Sequence, residues 1–384
     1  MDYNTSKDEE GFSVMNMLRT TQAYIDLDAL QGNADAVWAS TRAEVMAVVK
    51  ADAYGHGAPA LVYSLSQMGV QRFAVAALSE AVEVRCRCPQ ADVLVLGYTP
   101  DALLPAAVEC GAAQTIFSLH QAEILSALGK NARVHLKLDT GMHRLGFAPD
   151  EQALEEVQKI YSLPSLTVEG VYSHLALRDR ESDERQFAAF TAFTDELARR
   201  GLRVGLRHIC DGLGTARYQH MHLDMVRPGG AFYGYGELPG LRPVLTLRSQ
   251  VACVRSVPAG EGVGYDLLDA ADHDRLIATL PFGYSDGVPR QLSHGVGHVV
   301  IRGQKAPYTG LLCMDMCMVD VTGIAGVREG DEVFVFGGHS DAMTFPQVAA
   351  MCNMNRNGLL SGIARRVPRG YMRGGDVIEV RDLV

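Results

Sequence analysis

The sequence predicts an α/β protein: a (β/α)8 TIM barrel followed by a C-terminal, mostly-β domain. Three observations carry this. Eight short β-rich runs recur up to about residue 230, and stretches of helical composition separate most of them. After Leu241-Arg242-Pro243 the rhythm changes to shorter β segments broken by glycine turns.

Residues 1–19 include Lys7-Asp8-Glu9-Glu10-Gly11 and show no sustained period, so they are expected to form a flexible tail. Tyr24-Ile25-Asp26-Leu27 precedes the barrel, and a strand at about 23–28 is placed to join the second domain. The eight barrel runs fall near 45–50, 73–77, 92–96, 114–117, 133–138, 167–173, 205–209 and 224–227. Helical composition marks 58–68, 101–110, 121–128 and 183–200, whereas the seventh connection, 215–220, is short for a helix. β segments of the second domain are expected at 244–254, 276–281, 298–301, 314–321, 332–336 and 376–380. The expected division is a tail at 1–19, a barrel at 20–245 and a β domain at 246–384.

At 384 residues the chain can bury a large core, and its 47% hydrophobic and 21% charged content reads as globular. A formal net charge of -10 without any Lys/Arg-rich block argues against nucleic acid and for a small polar metabolite. No apolar run reaches the ~18 residues that span a bilayer, and the N-terminus lacks the basic-then-apolar order of a secretory signal. A cytoplasmic protein with no membrane partner is expected. The eight cysteines are scattered, and neither Cys86/Cys88 nor Cys313/Cys317 is backed by a second pair of zinc spacing. They read as reduced thiols, and no metal site is expected.

Lys50 closes the apolar run Glu44-Val45-Met46-Ala47-Val48-Val49 and is followed by the turn-rich Ala51-Asp52-Ala53-Tyr54-Gly55-His56-Gly57. An ammonium at the end of a buried strand is costly unless it is paired or deprotonated, and a neutral lysine is a nucleophile for an aldehyde. His174 ends the sixth run and Arg227 the eighth. In Val134-His135-Leu136-Lys137-Leu138-Asp139 the alternation turns the apolar residues to the helices and Lys137 into the barrel. Arg144 follows in the next loop. Singly, each cation reads as a snorkelling or satisfied structural group. Together, at the strand ends where barrels do their chemistry, they suggest an anionic ligand such as a phosphate or carboxylate. Asp211-Gly212-Leu213-Gly214 and Gly229-Gly230 follow the seventh and eighth runs, where barrels usually hold phosphate.

The residues resemble the alanine racemase family, which uses pyridoxal 5'-phosphate (PLP) on a (β/α)8 barrel joined to a β domain. The likeness runs from Ala23-Tyr24-Ile25-Asp26-Leu27 to Arg366-Val367-Pro368-Arg369. Its most specific motif is Val49-Lys50-Ala51-Asp52-Ala53-Tyr54-Gly55-His56-Gly57, with further matches at 136–142, Met225-Val226-Arg227-Pro228-Gly229 and Gly283-Tyr284-Ser285-Asp286-Gly287. The resemblance implies that Lys50 holds PLP covalently and serves as one base. Tyr265, given by the partner subunit of a homodimer with shared active sites, would be the other. It implies Tyr54, Gly212, Gly229 and Gly230 at the phosphate, Arg227 facing the pyridine nitrogen, and His174 supporting it. Arg144 and Met314, the latter from the partner, would hold the amino-acid carboxylate. Lys137 would be carboxylated to a carbamate that fixes Arg144. Racemisation needs two bases flanking Cα, and PLP supplies the electron sink.

Two stretches depart from the family pattern. Arg356-Asn357-Gly358 stands where the family usually carries Asn-Tyr-Glu. Asparagine at that place resembles serine racemases of the same fold, and its amide can hydrogen-bond a substrate hydroxyl. Alternatively Asn357 merely enlarges the pocket. His208-Ile209-Cys210-Asp211-Gly212 stands where the family often has His-Ile-Ala-Asn-Ser, removing one phosphate donor. The expectation is a racemase acting on alanine and/or serine. The alternatives are a PLP-dependent amino-acid decarboxylase of the same fold and a noncatalytic PLP-binding protein.

Overall fold

A computed structural model describes residues 17–382 of the chain, so most of the expected tail, residues 1–16, lies outside the described residues. Two compact units emerge. One comprises Leu27–Leu245 and Met354–Gly362; the other comprises residues 17–26, Thr246–Asn353 and residues 363–382.

Strand β1 (Gln22–Asp26) belongs to the second unit. The first unit is built on eight strands: β2 (Glu44–Val48), β3 (Arg72–Val75), β4 (Asp92–Val95), β5 (Ala113–Ile116), β6 (Ala132–Lys137), β7 (Leu166–Tyr172), β8 (Leu206–His208) and β9 (Met225–Val226). All neighbours in this sheet pair in parallel, in the order β8-β7-β6-β5-β4-β3-β2-β9. Closure comes from a parallel bridge between Asp211 and Arg227, with the Arg227 N–H donating to the Cys210 carbonyl at 2.9 Å. The eight-stranded barrel expected from the sequence is therefore present.

Parallel strands covered on both faces need apolar residues on both, which is why these runs read as nearly continuous. Met46, Val48, Ala74, Leu94, Ala113 and Met225 form one cluster, while Val134, Leu136 and Leu138 pack in a second with helix residues such as Leu125, Val157 and Phe190. Side-chain oxygens begin the helices of the later connections: Asp150 accepts from the Ala153 N–H at 2.9 Å and Asp179 from the Ser182 N–H at 2.8 Å. The short seventh connection holds the six-residue helix Gly212–Arg217, begun by Asp211, and a 3-10 turn at Gln219–Met221.

The second unit carries β10 (Leu245–Gln250), β11 (Cys253–Val257), β12 (Arg275–Leu280), β13 (His298–Ile301), β14 (Gln304–Thr309), β15 (Cys317–Asp320), β16 (Glu332–Phe336), β17 (Arg369–Arg373) and β18 (Asp376–Arg381). With β1 they make a ten-stranded sheet, β1 pairing in parallel with β17. Its fully buried Asp286 carboxylate is held by Arg19 at 2.7 Å and Arg366 at 2.8 Å.

One stretch departs from the expected division at residue 245. Met354–Gly362 clusters with the barrel instead of the β sheet. The cause is close packing of its helix, Arg356–Ser361, on the turn after Lys50. A Cβ added to Gly55 would stand 2.2 Å from the Leu360 carbonyl oxygen.

Candidate active site

Ala51, Asp52, Ala53 and Tyr54 all have φ between 53° and 55°, so the chain after β2 makes one left-handed turn. L-residues resist that geometry by roughly 1–2 kcal/mol each, so the surroundings must impose it. Glu80 accepts from the Ala51 N–H at 2.7 Å, Val49 O from the Ala53 N–H at 2.9 Å, and Asp52 Oδ1 from the Ala58 N–H at 2.8 Å. His56 stacks on Tyr233 at 4.7 Å, and the Tyr233 hydroxyl donates to the Val48 carbonyl at 3.0 Å. The turn thereby fixes both ends of its motif, Lys50 and Tyr54. Burial lowers the Lys50 pKa, and Arg144 and Arg227 act in the same direction against Glu80 and Asp211.

Arg227 is buried at the end of β9. Its Nη1 donates to His208 Nδ1 at 2.7 Å; its Nη2 donates to the Ser173 carbonyl at 2.8 Å and meets His174 Nδ1 at 3.3 Å. Accepting from a guanidinium leaves the proton of His208 on Nε2, which then donates to His135 Nδ1 at 2.9 Å. Burial and the neighbouring arginines hold His135 and His174 down at about 3 and His208 well below its usual value, so these imidazoles are neutral. The Tyr172 ring lies flat against His208 and faces Lys137 Nζ and the Arg227 guanidinium, each at 5.1 Å.

Burial, then Arg227, brings Lys137 down from 10.5 to about 7. Its Nζ donates to the Leu138 carbonyl at 2.8 Å. The loop beyond β6 is gathered by Asp139, which accepts from the N–H groups of Gly141, His143 and Arg144, each at 3.0 Å. Although burial pushes the Asp139 carboxyl up, these three bonds outweigh it and keep the group ionised.

These side chains meet around a cavity of about 490 Å³ at the C-terminal ends of the strands, large enough for a cofactor with a small substrate. Lys50, Tyr54, Lys137, Arg144, His174, Gly212, Arg227, Gly229, Gly230 and Asn357 line it. Tyr265 and Met314 do not; they belong to the β unit and are 64% and 53% exposed. A larger opening of about 1590 Å³ at the other end of the barrel is lined by Glu44, Arg72, Glu169 and Asp224 and holds no lysine. Chemistry in such barrels belongs to the opposite face.

Sequence matches explain the arrangement. Residues 25–237 match the family model described as alanine racemase, N-terminal domain, and residues 244–371 the one described as alanine racemase, C-terminal domain. The chain belongs to the alanine racemase family. It is 37% identical to alanine racemase 1 of Clostridium acetobutylicum, covering 96% of this chain and 99% of that one. Among solved structures, alanine racemase of Clostridium difficile 630 superposes with a TM-score of 0.91 at 30% identity, covering 96% of this chain and all of that one. The alanine racemase of Bacillus anthracis with bound L-Ala-P gives 0.90 at 29% identity, covering 96% and 98%.

The chain is thus an amino-acid racemase and its cofactor is PLP. The cavity fits the group. A Cβ on Gly229 would fall 2.7 Å from the Tyr54 hydroxyl and press on that phenol, so bare backbone leaves room there, and the buried Arg356 Nε has no hydrogen-bond partner among the described residues. No helix among the described residues is long and apolar enough to cross a membrane. Sequence reasoning gave no role to Tyr172, Glu80, Asp139 or Arg356. Tyr172 sits two residues before His174 and so shares its face, a signal that was legible; the contact between Glu80 and Ala51 is long-range and left none.

Proposed function

We propose that this chain interconverts the L and D forms of alanine and serine by a two-base mechanism, acting as a homodimer in the cytoplasm. The bases are Lys50 and Tyr265 of the partner subunit. The observation that carries the substrate reading is Asn357, which lines the cavity with Lys50 where the family usually has a tyrosine.

PLP, when bound at Lys50, supplies the electron sink that makes the substrate Cα acidic. The remaining work falls to the protein. Lys50 must be neutral to take a proton, and its lowered pKa makes that form more accessible than in an ordinary lysine. Tyr265, on the other face of Cα, gives its own hydroxyl proton to Cα, and the two groups exchange roles in the reverse direction. Arg227 lies at the buried end of the cavity, where its charge rules out donating a proton to the ring nitrogen at neutral pH. Arg144, aided by Met314 of the partner subunit, orients the substrate carboxylate, and the loop bonds of Asp139 support Arg144. Exposure of Tyr265 and Met314 on a single chain is consistent with their use by a second copy.

The Asn357 amide can accept from or donate to a serine hydroxyl, a contact of ~1–3 kcal/mol, or roughly 10-fold or more in kcat/KM. Chiral chromatography of L-serine and L-alanine racemisation tests this in the native enzyme and in Asn357→Tyr. The expected result is measurable serine racemisation that collapses in the variant while alanine racemisation persists. An alanine preference untouched by the substitution would remove the role of Asn357.

A further inference from the structure

One arginine of the barrel unit, Arg356, has no carboxylate partner among the described residues. It opens the short helix Arg356–Ser361 and lines the cavity. Its guanidinium stacks on Tyr235 at 4.8 Å, and its Nη2 makes one long contact, 3.5 Å, with Asn357 Oδ1. The buried Nε has no hydrogen-bond partner, and no carboxylate pairs with the guanidinium among the described residues. A half-buried cation with unused donors is costly, so its position implies an anion that completes it.

The neighbours indicate which anion. Nη2 stands 3.9 Å from where a Cβ of Gly230 would be, and Gly230 follows Gly229, whose Cβ would press on the Tyr54 hydroxyl. A Cβ on Gly212 would in turn be 3.8 Å from the Gly229 nitrogen. Bare backbone from two loops, one phenol and one unpaired guanidinium thus share one end of the cavity. Burial holds the Tyr54 hydroxyl up at about 12, leaving it a hydrogen-bond donor throughout the working pH range.

We propose that Arg356 binds the cofactor 5'-phosphate, supplying in this chain the donor that Gly212, lacking a hydroxyl, does not. The proposal rests on the PLP reading of the cavity. Arginine suits the task because its planar fork meets two phosphate oxygens at once.

The test compares the native protein with Arg356→Gln, titrating each apoprotein with PLP and with pyridoxal, which lacks the phosphate, and following absorbance of the Lys50 adduct. Cofactor release from each holoenzyme after dilution is followed as well. Arg356→Gln is expected to weaken PLP about 10- to 100-fold, the range for losing a charge-assisted hydrogen bond, while pyridoxal binding changes less than about twofold. Inorganic phosphate should compete with PLP less effectively in the variant, and a Gly212→Ser change added to it should recover part of the affinity. Equal losses for PLP and pyridoxal would overturn the proposal, because a merely structural role moves both. Unchanged PLP affinity with a raised KM for the amino acid would overturn it too, assigning the guanidinium to the substrate. If the native protein formed no Lys50 adduct with either compound, the PLP reading itself would fail, an outcome distinct from failure at Arg356 alone.

Discussion

Carbon dioxide should react with Lys137 at neutral pH. The side chain is 7% exposed, and burial together with Arg227 brings its ammonium from 10.5 to about 7. That drop corresponds to about 5 kcal/mol against the charged form, so at pH 8 roughly nine-tenths of Lys137 is the free amine, against under about 1% for an ordinary lysine. The free amine attacks the carbon of CO2, forms an N–C bond and releases one proton. The product is an anion facing the charges of Arg144 and Arg227, where an ammonium would have been repelled. Because the folded pKa is depressed, the reactive form grows as pH rises through about 7 and fades below it. Carbon-13 NMR in labelled bicarbonate should show one carbamate signal in the native protein, stronger at pH 8 than at pH 6 and absent from Lys137→Gln. The same variant should raise KM for the amino acid about 10-fold, the worth of one charged contact at Arg144, while Lys137→Glu keeps an anion and stays nearer to native. A native protein without the signal at pH 8, or a Lys137→Gln enzyme with unaltered KM, would refute the reasoning.

Two further outcomes are expected. Gly229→Ala should weaken PLP about 10- to 100-fold in a cofactor titration, since its methyl would lie 2.7 Å from the Tyr54 hydroxyl and overpacking costs ~1–3 kcal/mol; an unchanged affinity would show that the loop yields freely. Inactive Lys50→Ala and Tyr265→Phe chains, unfolded and refolded together, should regain up to about a quarter of native activity, because half the dimers are mixed and each mixed dimer carries one intact shared site. No regain would place both bases on the same chain.

The barrel was legible because its strands are buried on both faces, so runs such as Val45–Val49 declare themselves by composition. Lys137 was legible from alternation alone, since Val134 and Leu136 had to face the helices. Other elements gave weaker signals. β14 contains Pro307, which removes a ladder donor; the strand is tolerated because its pairing with β15 begins only at Tyr308. β17 begins Arg369-Gly370, a buried arginine and a glycine, and reads poorly as a strand. Arg369 is satisfied by the carbonyls of Ile363 and Ala364 at 2.7 and 2.6 Å, partners that no local pattern announces.

The turn after Lys50 marks the same limit within the site. Its residue types identify a motif, but alanine and aspartate have no local reason to turn left-handed, and four such residues cost about 4 kcal/mol or more. What holds them comes from elsewhere: Glu80 on the Ala51 amide, Tyr233 under His56, and the Arg356–Ser361 helix against Gly55. Gly55 has to remain a glycine because its φ is +81° and the Leu360 carbonyl leaves no space for a Cβ. That close approach also explains why a segment more than 100 residues beyond the last barrel strand belongs with the barrel. It brings Arg356 and Asn357 to the cavity wall together. Two of the three positions at which this chain departs from the family in that stretch are thus fixed by the same packing that fixes Lys50, so a change there alters the cavity without disturbing a strand.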